Sequence, residues 1–71
     1  MSFPERLLEV RTSKGFTQKQ VYEDVGMSPL GYQRYEYGTG EPAYQKLLDL
    51  ADLVNVSLNY LVGRSNNPKR L

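Results

Sequence analysis

Gln33 and Arg34, with Leu30 one turn before them, are the residues of this chain best suited to recognition chemistry. A glutamine amide can bond adenine at N6 and N7 together, and an arginine fork can bond guanine at O6 and N7. A leucine can lie against a thymine methyl. At 100° per residue, positions 29 to 37 divide into two helical faces. Leu30, Gln33, Arg34 and Tyr37 share one, with Pro29 near its edge, while Gly31, Tyr32, Tyr35 and Glu36 share the other. The first group projects outward and the second faces the rest of the protein. The start of such a helix adds unpaired N–H groups and a partial positive charge, which suit a phosphate. Alone, a glutamine and an arginine on a short surface helix are more simply read as solvated side chains. The frame around them decides between the two readings.

That frame is two short helices and a tight joint. Thr17 followed by Gln20 is a capping box, in which a hydroxyl accepts a backbone N–H and the amide reaches back. Gly26 supplies a left-handed residue that ends the helix without a Cβ clash. Ser28-Pro29 restarts the chain at once, with a hydroxyl cap and a proline whose missing N–H costs nothing there. Two helices joined by Gly26-Met27-Ser28 form a helix-turn-helix, the unit that sets its second helix in a DNA major groove.

Composition narrows the alternatives. With 71 residues the chain is one domain, near the lower limit for folding without metal or disulfide support. Cysteine and histidine are both absent, which removes disulfides, thiolate zinc sites, the commonest metal ligand and the commonest general base. Asp49 and Asp52 lie one turn apart, but two acids without a third ligand read as a solvated helix face. There is no glycine-rich phosphate loop, so neither an enzyme nor a bound cofactor or metal is expected. No apolar run approaches the ~18 residues of a membrane span, and no signal peptide opens the sequence. A soluble, cytoplasmic protein is the expectation. The net charge of +1 rules out a large electrostatic footprint, although the last eight residues hold three positive charges and no acid.

The remaining elements position the joint. Ser2-Phe3-Pro4-Glu5 starts a first helix over about 4–14, with Phe3, Leu7, Leu8 and Val10 as its apolar stripe and Gly15 as its stop. Phe16 precedes the Thr17 cap as a packing residue. Gly38-Thr39-Gly40-Glu41-Pro42 is a loop by composition. A fourth helix follows over about 43–55, with Leu47, Leu48, Leu50, Ala51 and Val54 at helical spacing. Ser57 caps a short fifth helix carrying Leu58, Leu61 and Val62, and Gly63 ends it. No strand pattern survives, so the fold class is all-α, a bundle of five short helices over 1–63. Residues 64–71 read as a short, unstructured basic tail.

Lys14-Gly15-Phe16-Thr17-Gln18, Val25-Gly26-Met27-Ser28, Arg34-Tyr35-Glu36-Tyr37-Gly38 and Glu41-Pro42 occur in a particular order and spacing. With Leu47-Leu48-Asp49-Leu50-Ala51 and Val56-Ser57-Leu58-Asn59-Tyr60-Leu61-Val62-Gly63, they closely resemble the phage-repressor-like helix-turn-helix family of transcriptional regulators. That family includes lambda repressor, Cro and the xenobiotic-response-element regulators. The resemblance implies a compact five-helix DNA-binding domain acting on double-stranded DNA as a homodimer, most simply as a repressor on a symmetric operator. It assigns base contacts to Ser28, Pro29, Leu30, Gln33 and Arg34. It assigns phosphate contacts to Gln18 and its neighbour Lys19, and to Tyr37 and Thr39. It makes Arg11 and Glu36 a structural ion pair, and places the dimer surface at Leu58, Leu61 and Val62. It implies no small-molecule ligand.

Departures from that pattern are informative. Tyr22 stands where the family usually has alanine, and Tyr32 where it usually has a branched aliphatic. Two bulky phenols between the second and third helices imply either an altered crossing angle or, more simply, a stack of the two rings with hydroxyls at the surface. Tyr37, Thr39 and Gly40 stand where relatives often carry phosphate-binding cations, and each lost cation lowers the salt slope of DNA binding by about one. Gly31 costs roughly 1 kcal/mol of helix stability unless it allows a close approach. The rival expectation is a protein-interaction module, antitoxin- or antirepressor-like, that keeps the fold and chiefly binds another protein.

Overall fold

Side-chain caps set where the helices begin. The computed structural model describes residues 1–70 and holds five helices there: α1 (Phe3–Ser13), α2 (Gln18–Asp24), α3 (Pro29–Tyr37), α4 (Tyr44–Val54) and α5 (Leu58–Leu61). Leu71, the last residue of the expected tail, lies outside the described residues. Thr17 Oγ1 accepts the Gln20 N–H at 3.1 Å, and Gln20 Oε1 accepts the Thr17 N–H at 2.8 Å. Ser28 and Ser57 start α3 and α5 by accepting the N–H groups of Gly31 and Tyr60, each at 3.1 Å. Between α2 and α3 the chain reverses through Gly26 at φ +70°, a conformation that penalises any Cβ. No strand occurs among the described residues, and none of their helices is long and apolar enough to cross a membrane.

The core gathers Leu7 and Val10 from α1, Val21 from α2, Tyr32 from α3, and Leu50, Ala51 and Val54 from α4. Val25, Val56 and Leu61 close it. Helix α1 packs on α3 and α5, α2 on α3 and α4, and α4 on α5. Fully burying one such aliphatic side chain contributes about 1.5–3 kcal/mol. Lys46 of α4 also donates to the Val25 carbonyl at 2.5 Å. This puts a cation against the C-terminal end of α2, where the helix dipole is negative.

Three expectations change. The first helix covers Leu8 poorly: Leu8 is 44% exposed, whereas Arg6 is 3% exposed. The inward stripe is Phe3, Arg6, Leu7 and Val10, at spacings of three, four and seven, which turns Leu8 toward solvent. The fourth helix stops one residue early, because Asn55 adopts φ 56° and caps it left-handed, as asparagine tolerates. Leu61, expected on a dimer surface, is fully enclosed within the subunit and belongs to the core, while Leu58 and Val62 stay half-buried.

Residues 64–70 are fastened down instead of hanging free. Arg6 Nη1 donates to the carbonyls of Tyr60 at 2.9 Å and Ser65 at 3.1 Å, and Nη2 donates to Asn66 Oδ1 at 3.4 Å. Its guanidinium lies 3.8 Å from the Tyr60 ring centroid, within cation–π range. The Ser57 N–H donates to the Pro68 carbonyl at 2.9 Å, and Arg70 donates to the Ala51 carbonyl at 2.9 Å and to Asp52. Gly63 sits so close to the chain's first residue that a Cβ there would fall 1.8 Å from the Met1 carbonyl oxygen. Buried cations need this many acceptors, and irregular backbone supplies them.

Replacing Arg6 with alanine should lower stability by about 2–3 kcal/mol, the scale of hydrogen bonds from a charged donor. Hydrogen exchange at the Ser57 amide should quicken in the same variant. Unchanged protection of that amide would show that Arg6 does not secure the segment.

Candidate nucleic-acid interface

Helix α3 is two-sided. Leu30 is 58% and Tyr37 71% exposed, Pro29 and Arg34 are exposed, and Gln33 is half-buried. Opposite them Tyr32 and Glu36 are buried, and Gly31 and Tyr35 are half-buried. The side that carries Leu30 and Arg34 is therefore open, with Gln33 on it partly covered. Lys19 and Thr39 are also exposed, and Gln18 is half-buried. Ser28 is exposed, but its hydroxyl already accepts the Gly31 N–H. A Cβ on Gly31 would lie 3.0 Å from that hydroxyl oxygen, so the glycine leaves room for the cap.

The inner side is anchored by one carboxylate. Glu36 Oε2 accepts Arg11 Nε at 2.6 Å and the Tyr32 hydroxyl at 2.5 Å. Glu36 Oε1 accepts Arg11 Nη2 at 3.1 Å and Gln18 Nε2 at 3.0 Å. A carboxylate offers about four acceptor positions, and here α1, α2 and α3 fill them. Arg11 also donates to the Phe16 carbonyl at 3.0 Å, tying the start of α2 to the same cluster. Burial alone would raise the Glu36 pKa, but the donors from Arg11, Tyr32 and Gln18 outweigh it and hold the carboxyl below its usual range. Burial, and then the adjacent carboxylate, pushes the Tyr32 phenol far upward, so it stays protonated and donating.

The expected stack of Tyr22 on Tyr32 is replaced by another arrangement. Tyr32 meets Tyr35 edge-on at 6.4 Å, and Tyr35 meets Phe3 edge-on at 6.5 Å. The Tyr32 hydroxyl stays inside because Glu36, one turn along the same face, gives it an acceptor. Tyr22 is half-buried against the core. Sequence reasoning placed Tyr32 and Glu36 on one face without joining them, although their spacing of four residues was the available signal. It also left Gln18 without a protein partner.

The comparisons with known proteins agree on one family. A family model described as Helix-turn-helix matches residues 7–61. The chain is 38% identical over 60 residues to the uncharacterized SPbeta prophage-derived HTH-type transcriptional regulator YonR of Bacillus subtilis, covering 84% of this chain and 56% of that protein. It is 36% identical to the cryptic phage CTXphi transcriptional repressor RstR of Vibrio cholerae, covering 90% of this chain and 57% of that one. Among solved structures it resembles the restriction-modification controller protein C.AhdI of Aeromonas hydrophila, with TM-score 0.77 and 27% identity. That match covers 83% of this chain and 89% of the controller protein. The chain thus spans little more than half the length of the curated relatives it matches.

Glu36→Ala should cost about 3–5 kcal/mol, because it leaves the Arg11 charge without its buried partner. The pH dependence has a definite sign. The folded carboxyl holds its proton less tightly than the unfolded one, so its contribution is complete above the ordinary carboxylate range. It is lost as pH falls through the lowered folded value, and urea titrations across acid pH should show Glu36→Gln losing less stability on acidification than the parent. Parallel pH profiles would remove Glu36 as an acid-sensitive anchor.

Proposed function

The chain belongs to the helix-turn-helix family, and on that premise we propose that it is a DNA-binding transcriptional regulator, a repressor acting as a homodimer on a symmetric operator. The observation that carries this reading is the open Leu30–Arg34 side of α3, opposed by a buried side that is locked to the bundle. Set in the major groove, Gln33 and Arg34 read base edges and Leu30 takes a thymine methyl, with Pro29 and Ser28 at the approach. Each good bidentate pair contributes ~1–3 kcal/mol of discrimination. Gln18, Lys19, Tyr37 and Thr39 meet the phosphates on either side. The relatives bearing this domain are named as transcriptional regulators and repressors, which supports the same reading.

A single subunit with so few cations binds weakly, and pairing two of them multiplies affinity without new contacts. Half-sites then lie ~34 Å apart, one turn of the duplex. Leu58 and Val62 remain the proposed dimer surface, now without Leu61. The site of action is the cytoplasm, where the DNA of these bacterial relatives lies. The exposed Tyr37 and the lack of cations at positions 37, 39 and 40 favour a second reading, a module whose main partner is a protein.

Selection of bound duplexes from a random pool, repeated with Arg34→Ala, separates the two. A regulator enriches a two-part symmetric site, and the variant loses preference at one base pair in each part. Its affinity should fall with added salt. If no duplex is enriched even at low salt, the protein-interaction reading takes over.

A further inference from the structure

Residues 68–70, laid back along the bundle, close one side of a cleft of about 460 Å³. Its other walls come from the end of α1 and from the junction that leads into α5. No residue of α2 or α3 lines it, so it is separate from the side of α3 proposed to read DNA. Its size falls within the roughly 300–1,000 Å³ of small-molecule sites. Val10 and Val56 are buried at its floor, with Tyr60 and Pro68 beside them. The charged residues of the lining are Lys14, Lys69 and Arg70, and no acid lines it. Arg70 is already paired with Asp52. The other ion pairs among the described residues join Arg6 to Glu9 and Arg11 to Glu36, so Lys14 and Lys69 have no acidic partner there. Carbonyls at the end of α1 could repel an anion, but they are occupied. The Lys14 N–H and the Ser13 hydroxyl fill that of Val10, and the Phe16 N–H fills that of Arg11.

We propose that this cleft binds a small organic anion with an apolar body, of the class of medium-chain carboxylates. The hydrocarbon displaces water from Val10, Val56, Tyr60 and Pro68, and the carboxylate meets Lys14 and Lys69 at the mouth. Lysines without the apolar floor would suit a bare inorganic anion, and the floor without the lysines would suit a neutral occupant. The combination selects a molecule with both parts. A ligand of about ten non-hydrogen atoms should have a dissociation constant on the order of a millimolar. Its occupancy bridges α1 and α5 to residues 68–70, and so secures the tail where the Ser57 N–H meets the Pro68 carbonyl.

The test titrates the full chain with octanoate and follows backbone amide shifts by NMR. Octanoate should move the amides of Val10, Lys14, Val56, Tyr60 and Lys69 and leave those of α3 in place. Exchange of the Ser57 amide should slow as the cleft fills. Octanol has the same body without the charge, and acetate has the charge without the body. Each should bind at least about tenfold more weakly than octanoate. Lys14→Gln and Lys69→Gln should each weaken octanoate about two- to fivefold, the scale of an exposed charge contact, and less so at high salt. Both lysines are exposed, so folding is not at stake in these variants. No shifts at millimolar octanoate, or shifts centred on α3, would overturn the site. Equal binding by octanol or acetate would overturn it too, as would parent-like octanoate affinity in both lysine variants. None of these results bears on the DNA-binding reading, which the duplex selection tests separately.

Discussion

A single buried carboxylate organises this protein. Glu36 must be filled by donors wherever it sits inside the bundle, and the donors come from three separate helices. That requirement turns α1, α2 and α3 into one unit. Helix α2 has seven residues and α3 nine, below the ~12–15 at which isolated helices become even marginally stable. Their order therefore comes from caps, from core burial and from this shared acceptor. The Arg11 guanidinium matches the carboxylate as a fork, which fixes direction as well as distance.

Charge elsewhere is sparse in a way that bears on the proposed role. The phosphate contacts proposed for Gln18, Tyr37 and Thr39 would carry no net charge, so they would hold a duplex only at close range. On that proposal, long-range attraction to arbitrary DNA is weak. A larger share of the total affinity then rests on base-edge contacts, and discrimination rises relative to non-specific sticking.

Most of the architecture was legible because its signals are local. Thr17, Gly26 and Ser28 act on neighbouring backbone, so sequence spacing suffices to place α2, the turn and α3. The outward side of α3 followed from helical periodicity alone. What was illegible depends on distant partners or on side chains that mix characters. Arg6 looks like surface by hydropathy, yet its stem packs inward and its head finds carbonyls some 54 to 60 residues away. Leu8 looks like core and loses that place to Arg6. Asn55 continues an apolar helical pattern, and only its left-handed backbone ends the helix. The tail reads as polar and loose, since most of the acceptors it offers are main-chain groups with no sequence signature. Gln18 and Glu36 lie 18 residues apart, so no periodicity could join them.

The two-sidedness of α3 has an evolutionary corollary. Residues 32 and 36 are bound into a constellation in which one replacement strands the others, so that side tolerates change only in concert. The side chains of residues 30, 33 and 34 make no hydrogen bond among the described residues of the subunit, and Leu30 and Arg34 are exposed. If that outer stripe reads operators as proposed, new target preferences can arise by drift on it while the scaffold stays frozen, and a lineage of such proteins can diversify without passing through unfolded ancestors.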